Sequence, residues 1–83
     1  MSDMAANVVG LIGSALFVAA YLYSNIAATI DFRLFNAANL IGAILLVLSL
    51  TVHFNLAAMV LEISWAVIAA FGLVKALAKR RSA

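Results

Sequence analysis

The chain has 83 residues, 69% of them apolar and 10% charged, with a formal net charge of +2. A soluble domain has about half its residues apolar and roughly a quarter charged, so this composition excludes a soluble globular domain, a disordered segment and a nucleic-acid binder. It also leaves too few polar groups for a self-contained catalytic site; the expectation is an integral membrane protein that is not an enzyme, with the lipid bilayer as its first partner.

The eight charges are Asp3, Asp31, Arg33, Glu62, Lys75, Lys79, Arg80 and Arg81. They leave residues 4–30, 34–61 and 63–74 free of charge. About 20 largely apolar residues are needed to cross a hydrocarbon core of ~30 Å. The spacing predicts a single all-α domain over residues 1–83, a bundle of three transmembrane helices at about 5–24, 32–52 and 56–78. The first helix is too long in its apolar run, and lacks the preceding basic residue, to be a signal peptide.

The first helix is expected to break around Ser24 and Asn25. Asp31 is expected to cap the second helix, since a carboxylate accepts from the open N–H groups of a first turn. A short turn at His53-Phe54-Asn55 follows, with Asn55 as cap of the third helix. The chain has no proline, so none of the helices carries a proline kink. It has no cysteine, which excludes disulfides, thiolate metal sites and a catalytic thiol.

Three crossings put Arg33 and the basic segment 75–83, with Lys75, Lys79, Arg80 and Arg81, on one side of the membrane. Asp3 and the His53–Asn55 turn fall on the other. Short cytoplasmic segments carry the excess of Lys and Arg. The five basic residues therefore act as topology anchors, and the expected arrangement is N-terminus out and C-terminus in.

Each helix then shows a stripe of small and polar residues at alternating steps of three and four. The first runs Asn7, Gly10, Ser14, Phe17, Tyr21 and Ser24. The second runs Asn39, Gly42, Leu46, Ser49 and His53, and the third Asn55, Ala58, Glu62, Trp65, Ala69, Gly72 and Ala76. Lipid is as apolar as leucine, so membrane helices associate through close backbone packing at small residues and through interhelical hydrogen bonds. These stripes are the expected inward faces, with Gly10, Ser14, Asn39, Gly42, Ser49, Glu62, Trp65 and Gly72 as the packing and polar contacts. Gly10-xxx-Ser14 and Ala38-xxx-Gly42 are the small-xxx-small pairs, and Leu45 falls on a face expected to meet lipid.

Glu62 is the one ionisable group at membrane depth, which by default marks a functional position. It is either a proton- or cation-carrying carboxylate, or a protonated glutamate tying helices together through Ser14, Ser49 or the Trp65 indole. A single carboxylate without a second acid or base does not make a catalytic pair, so no catalytic, cofactor or metal residue is assigned. His53, alone in the outer turn, reads as solvated rather than as a ligand.

The pattern Gly10-xx-Gly13, Ala20-Tyr21, Asn39-xx-Gly42, Leu48-Ser49-Leu50, Asn55 and Glu62-xx-Trp65 resembles a family of small three-helix bacterial inner-membrane proteins of unknown function, over about residues 8–72. The resemblance implies three helices and a bacterial inner membrane, with a periplasmic N-terminus and a cytoplasmic C-terminus once the charge rule is added. It implies no activity. The expected role is an accessory or structural subunit of a larger membrane complex, such as a respiratory or photosynthetic one, or a self-associating protein. The alternatives are a homodimeric three-helix half-transporter using Glu62 and a holin-like pore former. The missing proline speaks against the half-transporter hinge.

Overall fold

A computed structural model describes residues 1–82, with side chains through Lys79. The described residues form three helices: α1 (Asp3–Ile26), α2 (Phe32–Leu50) and α3 (Leu56–Ser82). All three are long and apolar enough to cross a membrane. α2 has 19 residues, about 28 Å at 1.5 Å per residue, close to the hydrocarbon thickness. The molecule measures 45 × 23 × 20 Å, so its long axis spans a bilayer with its headgroups, ~40–45 Å.

The helix ends follow from local hydrogen bonding. Ser2 caps α1, its hydroxyl accepting from the Ala5 N–H at 3.1 Å. At the other end of α1 the Tyr21 carbonyl accepts from the Ser24 hydroxyl at 2.6 Å and the Asn25 amide at 2.9 Å, while Ala27 turns extended. α1 is therefore two residues longer at each end than the 5–24 read from the charges.

Asp31 caps α2, with Oδ1 accepting from the N–H groups of Arg33 at 3.1 Å and Leu34 at 3.4 Å. Tyr23 reaches across the connection, its hydroxyl accepting from the Asp31 N–H at 2.8 Å. α2 ends at Leu50 rather than at 52, where the Thr51 hydroxyl donates to the Leu48 carbonyl at 2.6 Å. Asn55 starts α3, accepting from the Ala58 N–H at 3.1 Å. The segment expected as a basic tail continues α3 to Ser82, because Lys and Arg are good helix formers and suit a helix C-terminus. The side chains of Arg80 and Arg81, and all of Ala83, lie outside the described residues.

α2 is the middle element: α1 packs along one side of it and α3 along another, and α1 and α3 do not pack their backbones together. Alternate directions bring the start of α1 beside the α2–α3 turn, where His53 Nε2 lies 3.8 Å from Asp3 Oδ1. Arg33, Lys75 and Lys79 therefore share the opposite end of the molecule.

All four glycines lie within helices and none has a positive φ. They serve close approach rather than turns. At Gly13 a Cβ would fall 2.8 Å from the Gly42 carbonyl oxygen, and at Gly42 it would fall 3.0 Å from that of Gly13. The core is correspondingly small: Ala6, Ala20, Ala43, Ala69 and Asn39 join the glycines in the contacts.

Candidate functional site

The polar groups at membrane depth form a seam between the helices. Near the α2–α3 turn, the Ser49 hydroxyl donates to the Ala6 carbonyl at 2.8 Å, tying α2 to α1. Gly10 leaves room for it, since a Cβ there would fall 2.7 Å from Ser49 Oγ. Deeper in, the Trp65 indole N–H donates to Asn39 Oδ1 at 3.1 Å, tying α3 to α2. The Asn39 amide donates its own N–H to the Phe35 carbonyl at 2.9 Å, so a buried side chain has both halves of its amide paired.

Two rings close the gap between the outer helices. Phe17 of α1 and Trp65 of α3 have centroids 6.0 Å apart, tilted by 52°, a favourable edge-and-face arrangement. Phe17 reaches this position over Gly42, whose Cβ would fall 2.8 Å from the Phe17 ring. Gly72 faces Asn36, where a Cβ would fall 2.6 Å from Oδ1; the Asn36 amide is meanwhile held to its own helix through the Phe32 carbonyl at 2.8 Å.

The structure brings Gly10 to Ser49, Asn39 to Trp65, Gly42 to Phe17 and Gly72 to Asn36. It does not bring Ser14 or Glu62 into this network. Ser14 is exposed and lines an open groove of ≈ 460 Å³ with Asn7, Gly10, Leu11, Leu46 and Ser49. Glu62 Oε2 is buried and has no hydrogen-bond partner among the described residues. The expected ties from Glu62 to Ser14, Ser49 or Trp65 are absent, because Ser49 and Trp65 donate elsewhere.

The inward face of α1 also differs from the stripe Asn7–Ser14–Tyr21. Ala6, Gly13 and Ala20 are the buried residues, one position earlier in each heptad. Asn7, Ser14 and Tyr21 are exposed. The reason is steric: α1 and α2 meet backbone against backbone at Gly13 and Gly42, and the small Ala6 and Ala20 on either side of Gly13 permit that approach. A polar side chain in that row would hold the helices apart. Gly10-xx-Gly13, rather than Gly10-xxx-Ser14, is the working pair. Leu45 is likewise not a lipid-facing residue, since its Cβ lies 3.1 Å from where a Gly13 Cβ would be.

At the end carrying the basic residues, Arg33 Nε lies 3.6 Å from Asp31 Oδ1, with both side chains substantially exposed. Lys75 and Lys79 are exposed. Asn36 and Ala6 take part in the interhelical contacts without a signal in the sequence pattern, and Gly13, named there only as part of the Gly10-xx-Gly13 motif, is a contact residue as well.

The sequence profile of an uncharacterised protein family matches residues 6–81. The match covers nearly the whole chain, and the protein belongs to that family. No curated protein and no solved structure matches the chain.

Proposed function

We propose that this member of an uncharacterised three-helix family is a structural subunit of the membrane, working in association with other membrane-protein chains and carrying no catalytic chemistry. The observation that carries the reading is the placement of α2. Both outer helices set small residues against it, Ala6, Gly13 and Ala20 from α1 and Ala69 and Gly72 from α3, and apart from the Phe17–Trp65 ring contact most of their remaining described surface is exposed. The deep polar groups that are paired across helices, Ser49 and Trp65–Asn39, lock helix to helix. Such a chain is a scaffold element that fills or spaces a larger assembly, for example a respiratory or photosynthetic one.

Its membrane is a bacterial inner membrane, with the Asp3–His53 end outside and the Arg33–Lys79 end in the cytoplasm, as the positive-inside rule requires. A reporter active only outside the cytoplasm should be silent after Ala83 and active when inserted in the His53–Asn55 turn; activity at Ala83 would reverse the orientation. For the role itself, a C-terminally tagged chain extracted from its native membrane in mild detergent should carry at least one membrane-protein chain in fixed stoichiometry. A monodisperse monomer in native-like lipid, with nothing bound, would overturn the reading.

One observation favours a second reading, a half-transporter using Glu62: the buried, unpaired Oε2. Glutamine preserves size but cannot release a proton. Glu62→Gln that assembles normally yet abolishes a transport activity of the assembly would make the carboxyl the working group.

A further inference from the structure

α1 carries a second ordered face that the chain does not use. Roughly a third of a turn round from its contact with α2, Met4, Asn7, Leu11, Ser14, Val18 and Tyr21 recur at alternating steps of four and three, and all six are exposed. The four largest of the six, Met4, Leu11, Val18 and Tyr21, are 68–75% exposed. The remaining side of α1, with Val8, Ile12, Ala15, Ala19, Leu22 and Ile26, is wholly apolar and suits lipid.

The stripe differs from an ordinary lipid face in its polar groups. Ser14 lies eleven residues into α1, ~16 Å along it, near the middle of the hydrocarbon. Asn7 and Ser14 make no side-chain hydrogen bond among the described residues. Apart from Glu62, the other polar side chains at membrane depth do: Ser49, Asn39 and Trp65 bond across helices, and Asn36 and Ser64 bond to their own helix backbone at 2.8 Å each. A carboxamide or hydroxyl left unpaired in hydrocarbon is costly, so this face calls for a partner with its own donors and acceptors.

We propose that this partner is a second copy of the chain, docked α1 to α1 in parallel about a two-fold axis along the membrane normal. Copies inserted with one topology can be related only by an axis in that direction if they form a closed pair, so each residue of the stripe meets its own counterpart. That suits these residues. Amides and hydroxyls each donate and accept, so Asn7 pairs with the Asn7 amide of the other copy and Ser14 with its Ser14 hydroxyl. A charged residue could not do this. The repeat of 3.5 residues is that of a left-handed parallel seam, and a polar residue at a seam position fixes register and orientation. The groove beside Gly10 supplies the hole into which a neighbour's side chain seats.

The inference rests on the reading of the chain as a protein that works in association, and it names the first associate. The absence of cysteine makes the test direct. Single cysteines placed at stripe positions (Asn7→Cys, Ser14→Cys, Tyr21→Cys) and at lipid-facing positions (Ile12→Cys, Ala19→Cys) are oxidised with a membrane-permeant catalyst in native membranes. Disulfide dimers are expected from the stripe and not from the lipid face. In liposomes, energy transfer between labelled copies should show Asn7→Leu weakening dimerisation by roughly 3- to 20-fold, with unchanged helix content, since the Asn7 side chain makes no hydrogen bond among the described residues. Cross-links without this periodicity, or transfer unaffected by Asn7→Leu, would overturn the proposal. Adducts to a chain of different mass in place of dimers would also overturn it while leaving the structural reading intact; a monomer with no adduct at all would remove both.

Discussion

The two interfaces of α2 are built on opposite principles. Against α1 it is a backbone contact: Gly13 and Gly42 approach so closely that either Cβ would strike the other's carbonyl, and Ser49 bonds to the Ala6 carbonyl. Against α3 it is a side-chain contact: the Trp65 indole meets the Asn39 amide, and Gly72 accommodates the end of Asn36. Backbone cannot retreat, whereas a side chain can rotate. The α1–α2 contact is therefore rigid and intolerant of volume, and the α2–α3 contact is adjustable. The same residue type, glycine, has a different cost of replacement on the two sides.

Substitutions at the glycines test this contrast most strongly. Gly13→Leu should destabilise the bundle by about 3 kcal/mol, the upper end for overpacking, read as loss of structure during SDS titration from mixed micelles. Ile44→Ala, at an exposed position of α2, should barely move that transition; equal effects of the two would mean that backbone packing does not hold α1 to α2. Gly72→Leu should cost less, about 1 kcal/mol, because it displaces only the Asn36 amide.

Hydrogen-bond deletions come next. Trp65→Phe keeps a ring beside Phe17 but leaves Asn39 Oδ1 without its donor, at a cost of about 0.6 kcal/mol and at most about 1.7. On the other interface, Gly10→Ala presses on Ser49 Oγ. Combined with Ser49→Ala it should therefore cost less than the sum of the two single changes, a coupling that a double-mutant cycle measures. Strict additivity would show that Gly10 and Ser49 do not share space.

The smallest effect is expected at Glu62. Its buried oxygen has no partner to lose, so Glu62→Gln and Glu62→Leu should each leave stability within about 0.5 kcal/mol of the parent in the same titration. A larger loss would mean that the carboxyl has a structural partner after all.

Charge spacing and cap chemistry made the three helices legible in the sequence, down to Asp31 and Asn55 as the residues that begin α2 and α3. The inward faces of α2 and α3 were legible in part, through Asn39, Gly42, Ser49 and Trp65, whereas Asn36, Ala43 and Leu45 of α2 also meet the neighbouring helices or lie buried without belonging to the expected stripe. α1 was misread by one residue in alternate positions. Its polar residues point away from α2, and the signal lay in Ala6, Gly13 and Ala20, which a search weighted toward polar groups passes over. Small size decides where backbones meet, and polarity decides only what must find a partner somewhere. The unpaired state of Glu62 was not legible, since it depends on where the Ser49 and Trp65 donors turn, and several acceptors were in reach of each.

The placement of α2 between the other two helices also sets an order on biosynthesis. As the chain leaves the ribosome, α1 and α2 are complete before α3 has been made, and their glycine contact needs nothing that comes later in the sequence. α3 thus inserts against a finished two-helix surface that already displays Asn36 and Asn39. Both side-chain N–H groups are already bonded within α2, so what α3 adds on arrival is the Trp65 donor for the Asn39 carbonyl oxygen and the space at Gly72 for the end of Asn36.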